Sequence, residues 1–350
     1  MIRIFAIAAV AAMTAAECGD NEPPKTAPPP FEWASLDAST APTAAFTGTS
    51  PTVDPADAHV VALKKIDVGL AGSDGKAFAE LFATDAVVTI PGVSEWKGRD
   101  DIGAMHTKIF HAFDDVKVGA SRVWVRRDLT AVEWTLVGTH ARTWLGVTAT
   151  SKPVAIQGLS VSTFDADGRV KSQRMYFDVV TVLTQLGAAL PGFEAPAPPK
   201  LPTTTDVIVA QASPEEDANV ALNDSYGKII EQGNLDGVVA GYAEDVECFA
   251  IGAPPTKGRD ARRKRFEVLT KAMTDRKVKI DGWGAKGFVI EEVTLSAVNT
   301  GSFRGAPPTK KPVSLHSAAV MELKDKKVVR QWGFANRAEA LVQLNVKYLR

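Results

Sequence analysis

Residues 79–90, AELFATDAVVTI, recur in altered form as VAGYAEDVECFA at residues 239–250. At the same spacing, the tetrapeptide KGRD occurs at residues 97–100 and again at residues 257–260. Self-similarity at a fixed spacing is the signature of a duplicated structural unit. The sequence therefore predicts two copies of one module in a single chain.

The duplication sets the domain boundaries that we predict. The proline-rich stretch PGFEAPAPPKLP, which begins at residue 191, separates the two copies and is typical of a linker. We assign module 1 to residues 54–190, the linker to residues 191–212 and module 2 to residues 213–350. A chain of 350 residues is long enough for two domains of this size.

Each copy changes its hydrophobic period along its length. Module 2 opens with PEEDANVALNDSYGKIIEQGN at residues 214–234, in which acidic residues precede apolar residues at helical spacing. Later segments, such as PVAIQGLSVSTF at residues 153–164, place apolar residues mostly at every second position, which is typical of a half-buried strand. The order predicts an α+β module in which about three helices pack on a strongly bent antiparallel sheet.

The composition limits the classes of partner. The formal net charge is −1, which gives no reason to expect nucleic acid. No run of about 18 apolar residues follows the N-terminus, so we predict no membrane-spanning helix in the mature protein. Cys248 has no partner cysteine in its module and reads as a small core residue, and no metal-ligand spacing or phosphate-binding loop is present. We therefore predict no metal and no cofactor.

The N-terminus has the pattern of an export signal. Residues 1–17 contain Arg3, a short apolar run and small residues, which predicts a signal peptide and a location in the bacterial cell envelope. Residues 18–53 are rich in proline and polar residues and predict an extended tether. Two outcomes stay open. Cys18 is lipidated and anchors the protein to a membrane, or cleavage after Ala16 releases a periplasmic or secreted protein.

The strands and turns of the first copy carry a family resemblance. The dipeptide Thr139-His140, the segment WLGVTATSKPVAIQG at residues 144–158 and the ending YFDVVTVLTQLG at residues 176–187 resemble SnoaL-like polyketide cyclases. That family belongs to the nuclear-transport-factor-2-like and ketosteroid-isomerase-like superfamily. The second copy, with GAPPTKKPV at residues 305–313, is similar but more divergent. The resemblance implies a cone-shaped fold with an apolar pocket at its open end.

The resemblance also implies a candidate catalytic residue. In the cyclases an aspartate on the last strand is the general acid/base, and Asp178 holds that position here. Residues two apart on a strand share a face, so Arg174 and Tyr176 are predicted to lie on the same side as Asp178. If that face is concave, an apolar cavity would raise the pKa of Asp178 towards neutrality. The alternatives are a helix N-cap and an ion pair with Arg174.

Other polar residues of module 1 are candidate ligand-binding groups. Gln157 is the nearest substitute for the oxyanion-binding residue that the cyclases place on the preceding strand. Tyr176 and Arg174 would line the same pocket as Asp178, and His140 occupies a recurrent position of the family that is also compatible with a turn. Proton abstraction without a strong oxyanion donor would lose about 3 kcal/mol of stabilisation.

Module 2 lacks the acid. Asn336 stands at the position of Asp178 and keeps the capacity to hydrogen-bond, and His316 matches Gln157. We predict that module 2 is non-catalytic and that it pairs with module 1 as an internal pseudo-dimer. The basic run KGRDARRKR at residues 257–265 reads as a solvated helix face or as a contact for an acidic partner.

Two functions follow from these features. The first is binding of a small hydrophobic, carbonyl-type ligand in the module 1 cone, with cofactor-independent cyclase or isomerase chemistry through Asp178. The alternative is a non-catalytic module tethered to the envelope that binds a ligand or another protein. Export favours the alternative, because polyketide-type cyclisation takes place where its substrates are made.

Overall fold

The structure is a computed structural model that describes residues 45–46, 74–126, 129–189, 198–303 and 307–346. The predicted signal peptide, Cys18 and nearly all of the predicted tether lie outside the described residues. Within the described part of the chain, no helix is both long enough and apolar enough to cross a membrane.

Module 1 is built from one mixed sheet and three described helices. Its elements, in chain order, are β1 (Ala45–Phe46), α1 (Gly75–Ala79), β2 (Phe82–Ile90), β3 (Ser94–Lys97), α2 (Gly98–His111), β4 (Phe113–Arg126), β5 (Leu129–His140), β6 (Pro153–Phe164), β7 (Val170–Phe177) and α3 (Val179–Leu186). The strand order is β1-β4-β5-β6-β7-β2-β3. Most pairs are antiparallel, as predicted, and β2 pairs with β7 in parallel.

Module 2 repeats this plan after one further strand. The elements are β8 (Asp206–Val209), α4 (Pro214–Asp224), α5 (Tyr226–Glu231), α6 (Leu235–Val239), β9 (Tyr242–Ala250), β10 (Thr256–Lys257), α7 (Arg259–Ala272), β11 (Met273–Ala285), β12 (Phe288–Asn299), β13 (Pro312–Lys324), β14 (Lys327–Ala335) and α8 (Arg337–Gln343). The sheet order is β10-β9-β14-β13-β12-β11, with β14 and β9 parallel. The strand β8 lies in the predicted linker and pairs with β4 of module 1.

Both sheets contain matched irregularities in their long strands. In β4 the register shifts between Asp114 and Lys117, and Asp115 has a positive φ of 54°. In β11 the register shifts between Thr274 and Lys277, and Asp275 has a φ of 50°. Bulges of this kind bend a strand and increase its twist, which allows each sheet to curve around its helices. The prediction of two tandem α+β modules is confirmed.

The last helix of each module begins at a matched polar residue. Asp178 is the N-cap of α3 and accepts a hydrogen bond from the backbone N–H of Thr181. Asn336 is the N-cap of α8 and accepts from the N–H of Ala338. A short polar side chain at this position satisfies a backbone donor that the helix itself leaves unpaired.

The apolar residues form cores inside each module and also between the modules. One cluster contains residues from the sheets of both, with Trp124, Leu159 and Tyr176 on one side and Trp283, Phe334 and others on the opposite side. Trp124 and Trp283 are buried. The sheet faces that point away from the two concave sides therefore contact each other, and both modules contribute to the same buried cluster.

Candidate functional site

A cavity of about 100 Å³ lies inside module 1, between the helices and the concave side of the sheet. Its walls are mainly aromatic and aliphatic, and the lining includes Met105, Phe110, Trp134, Met175 and Phe177. A concave site lined by apolar and aromatic side chains, with few polar groups, is the usual form of a small-molecule site.

The face of β7 that lines this cavity is not the one that carries Arg174 and Tyr176. Gln173, Met175 and Phe177 line the cavity, whereas Arg174 and Tyr176 lie on the opposite face, towards module 2. The polar face of β7 is therefore not the concave one, so the condition that we set for a cavity around Asp178 is not met. Alternation shows which residues share a face of a strand, but it does not show which face is covered by the helices.

Arg174 and Tyr176 both contact Glu292 of module 2. Arg174 donates from Nε to Glu292 Oε1 over 2.6 Å and from Nη2 to Oε2 over 2.7 Å. The Tyr176 hydroxyl donates to Oε1 over 2.6 Å. Burial and the neighbouring Glu292 carboxylate raise the pKa of Tyr176 well above its usual value. Neither residue lies in the cone, and Arg174 is not the ion-pair partner of Asp178.

Asp178 lies at the junction of the modules, with its side chain 1% exposed. Its carboxylate accepts from the backbone N–H and the hydroxyl of Thr181, over 3.0 and 2.6 Å. It also accepts from the backbone N–H and Nε of Arg337 in module 2, each over 2.8 Å. The cap and ion pair that the sequence left open are both present, although the ion-pair partner is Arg337. The catalytic role of Asp178 stays a prediction.

A second pocket, of about 200 Å³, adjoins this ion pair. Asp178, Thr181 and Gln157 line it together with Phe249 and Trp332, whose rings are stacked 5.7 Å apart. Gln157 donates from Nε2 to Glu133 Oε1 over 3.1 Å, so its amide is held at the junction and does not reach the cone. The sequence placed Gln157 and Asp178 in one pocket, and they do share one, but it lies between the modules.

A glycine permits the close approach of the two modules at this point. Gly252 has a φ of 76°, and a Cβ at this position would lie 2.6 Å from Asp178 Oδ2. It would also lie 2.9 Å from Arg337 Nε. Only glycine adopts this conformation without cost and leaves room for the ion pair.

The other predicted ligand-binding residues have local partners. His140 Nδ1 lies 3.1 Å from Thr150 Oγ1 and accepts from the Thr150 backbone N–H over 3.3 Å, so His140 holds the turn between β5 and β6. Burial lowers the pKa of His140. Neither His140 nor Asn336 is among the residues that line the module 1 cavity. Asn336 accepts from the backbone N–H groups of Ala338 and Val179.

His316 contacts Glu339 at the start of α8. The distance from His316 Nδ1 to Glu339 Oε1 is 2.6 Å, and the His316 backbone N–H donates to Glu339 Oε2 over 2.9 Å. The hydrogen bond to Glu339 raises the pKa of His316. His316 therefore belongs to a structural contact near the junction.

The sequence did not single out His106, which the structure places in the wall of the module 1 cavity. The residue is 2% exposed and its ring stacks between Phe78 and Phe110, at centroid distances of 4.0 and 4.2 Å. Burial lowers its pKa to about 3. A signal was available: Ile102, His106 and Phe110 recur at helical spacing on α2, so His106 belongs to an apolar stripe that faces the sheet.

The interior of module 2 contains charged and polar side chains at the matching positions. Arg262, which matches Ile102, is 1% exposed and donates from Nη2 to the hydroxyl of Tyr242 over 2.8 Å. Tyr242 in turn donates to Gln331 Oε1 over 2.9 Å. Cys248 is buried beside this network, as predicted for a core residue. Arg262 and Tyr242 therefore place a charged and a polar group inside module 2 at the positions where module 1 has the buried apolar residues Ile102 and Phe82.

No metal site is found in the part of the chain that the structure describes: no group of three or more His, Cys, Asp or Glu side chains is placed to hold a metal ion.

Comparison with known proteins shows the family to which the chain belongs. The sequence profile of the SnoaL-like polyketide cyclase family matches residues 60–186 and again residues 220–344. The chain therefore belongs to this family and contains two copies of its domain. No curated protein matches the chain.

Several solved structures are similar to part of this chain. A putative SnoaL-like polyketide cyclase from Jannaschia sp. CCS1 is 21% identical, with a TM-score of 0.35, over 39% of this chain and 98% of its own. AclR, a putative hydroxylase from Streptomyces galilaeus, is 24% identical, with a TM-score of 0.34, over 37% of this chain and 96% of its own. A protein of ketosteroid isomerase-like fold from Catenulispora acidiphila, in complex with trimethylamine, is 18% identical, with a TM-score of 0.33, over 41% and 100%.

Proposed function

We propose that this protein binds a small hydrophobic ligand in the cavity of module 1 and that module 2 is a non-catalytic partner domain. The observation that carries the proposal is the difference between the two interiors. Module 1 has an apolar cavity of about 100 Å³, whereas the interior of module 2 contains the buried, hydrogen-bonded pair Arg262 and Tyr242. An apolar cavity binds apolar molecules readily, whereas a buried arginine would have to be desolvated further or displaced.

The role of module 2 follows from its contacts with module 1. We propose that the two domains form an internal pseudo-dimer, in which each sheet covers the outer face of the other. The shared apolar cluster and the ion pairs Arg174–Glu292 and Asp178–Arg337 support this arrangement. Burial of apolar surface on both sheets supplies the driving force, and the ion pairs fix the register of the two sheets.

Acid/base chemistry through Asp178 is a second candidate function. It is supported by the pocket of about 200 Å³ at the junction, where a carbonyl compound would meet both Asp178 and the Gln157 amide. Against it, the Asp178 carboxylate already accepts hydrogen bonds from Thr181 and Arg337, which occupy the oxygens that a base would use. Ligand binding without catalysis is therefore the function that we favour.

The location of the protein is a further part of the proposal. The signal-like residues 1–17 and Cys18 support export to the cell envelope, with a lipid anchor on Cys18. We expect mass spectrometry of the mature protein to find an acylated N-terminal Cys18. A mature chain that begins at residue 17 or 18 without acyl groups would exclude the anchor, and a chain that keeps residues 1–17 would exclude export.

Titration with benzene by calorimetry tests the proposed ligand site. We expect one site per chain, in the apolar cavity of module 1, and we expect Met175→Trp to abolish binding by filling that cavity. The matched control is Val342→Trp, which adds the same indole ring at a residue that is 43% exposed and far from the cavity lining. Two sites per chain, or unchanged binding by a folded Met175→Trp variant, would contradict the proposal.

A further inference from the structure

Two side chains in the wall of the module 1 cavity, His106 and Trp144, have ring nitrogens without a hydrogen-bond partner among the described residues. Neither ring nitrogen of His106 has a hydrogen-bond partner among the described residues, although the residue is only 2% exposed. Buried polar atoms are nearly always paired, and leaving one unpaired costs about 1–3 kcal/mol. The two unpaired nitrogens of His106 in the cavity wall therefore call for a hydrogen-bond partner.

Other polar side chains of the wall are hydrogen-bonded to one another. The indole Nε1 of Trp134 donates to Ser160 Oγ over 2.9 Å, and Gln173 Nε2 donates to Ser162 Oγ over 3.3 Å. The indole Nε1 of Trp144 has no hydrogen-bond partner among the described residues, but an indole can only donate. His106 is therefore the unpaired side chain of the wall that can offer a molecule in the cavity either a donor or an acceptor.

The geometry of the imidazole is fixed by its neighbours. Phe78 and Phe110 stack on its two faces, with interplanar angles of 21° and 20°. Stacking on both faces leaves the ring edge, which carries the nitrogens, as the part that can meet another group. A neutral imidazole has one donor and one acceptor nitrogen, so it can pair with either a carbonyl or a hydroxyl group.

Module 2 supplies an internal comparison. Phe266 occupies the position that matches His106, at the same place after the KGRD motif, and it is buried in the apolar core. The fold therefore accommodates an aromatic hydrocarbon side chain at this position. Packing alone gives no reason for the imidazole in module 1.

We propose that His106 is the specificity-determining residue of the module 1 cavity, and that it selects a flat apolar ligand with one hydroxyl or carbonyl group directed at the imidazole edge. This inference rests on the proposed function, because it assumes that the cavity is occupied by a ligand. The surrounding aromatic and methionine side chains contact the apolar body of the ligand. The hydrogen bond with His106 then offsets the loss of water from its polar group.

The test compares benzene with phenol, which differ by one hydroxyl group, on the full-length wild type, His106→Phe and His106→Gln. The quantity measured by calorimetry is the ratio of phenol affinity to benzene affinity, because the ratio removes effects common to both ligands. We expect His106→Phe to lower this ratio by about tenfold, the equivalent of one buried hydrogen bond. His106→Gln keeps a donor and an acceptor, so we expect it to preserve the ratio to within about threefold.

The outcomes separate this inference from the proposed function. If benzene binds but the ratio changes by less than about twofold in His106→Phe, the role of His106 is refuted while the ligand site stands. If neither compound binds the wild type, both proposals fail.

A readout on the wild-type protein covers the case in which His106→Phe does not fold or no longer admits either ligand. Phenol should then shift the ¹⁵N resonances of the His106 ring by clearly more than benzene does, and equal shifts with both ligands would overturn the inference.

Discussion

Asp178→Asn is expected to lower the free energy of unfolding by roughly 3–5 kcal/mol, because it removes one partner of a buried ion pair. Asp178 and Arg337 side chains are each 1% exposed, and they join the two modules across the junction. The substitution keeps the shape of the side chain and removes its charge, so the buried guanidinium of Arg337 faces a neutral amide. Chemical denaturation of the wild type and the variant measures the difference.

Two controls show whether the effect belongs to the buried pair. Asp85→Asn removes an acid that pairs with Lys171 at the surface, where the Asp85 side chain is 71% exposed, and should lower the free energy of unfolding far less than Asp178→Asn does. The double variant Asp178→Leu, Arg337→Met replaces the pair by apolar side chains and should recover most of the loss. A folded Asp178→Asn protein within about 1 kcal/mol of the wild type would contradict the structural role that we assign to Asp178.

The second large effect concerns acid stability and His106. Burial lowers the pKa of His106 from its usual value of 6.5 to about 3, while the Asp74 carboxylate acts in the opposite direction. Between these two values the unfolded chain binds a proton that the folded chain excludes, so this residue makes the fold less stable as the pH falls from about 6.5 to about 3. The full contribution at low pH is on the order of 4 kcal/mol.

His106→Phe should therefore flatten the dependence of stability on pH over this range. The difference between the unfolding free energies at pH 7 and at pH 4 should be smaller in the variant than in the wild type. The two differences should themselves differ by several kcal/mol. His316→Gln is the matched control, because the pKa of His316 is raised and its contribution has the opposite sign. Its stabilisation is present at low pH and is lost as the pH rises through the folded-state pKa. An identical pH dependence in the wild type and His106→Phe would contradict the buried, neutral state of His106.

The fold was predictable from the sequence because its evidence is local and repeated. The paired stretches at residues 79–90 and 239–250 mark the same strand in both modules, β2 and β9. Helical and alternating periods then identify the elements within each copy. The parallel pairing of β2 with β7 joins segments that are far apart in the chain, and a period of two residues carries no information about strand direction.

The site was harder to predict because its decisive contacts cross between modules. Asp178 was correctly singled out as a buried acid at a helix start, but its partner Arg337 lies 159 positions further along the chain. Arg174 and Tyr176 were assigned to the cavity because they share a strand face, whereas that face contacts Glu292. Only the packing of one sheet on the other decides which face lines the cavity. His106 was overlooked because a histidine in an apolar stripe resembles an ordinary core residue.

Methionine methyl groups offer the most direct measurement of the central claim, which is that module 1 binds an apolar ligand inside its cone and module 2 does not. Met105 and Met175 line the module 1 cavity, whereas Met273 and Met321 lie in the core of module 2 with 0% and 1% exposure. In ¹³C-methyl-methionine NMR spectra recorded with saturating benzene, the account predicts shifts of Met105 and Met175 with Met273 and Met321 unchanged. Shifts of Met273 and Met321, or none at Met105 and Met175, would contradict it.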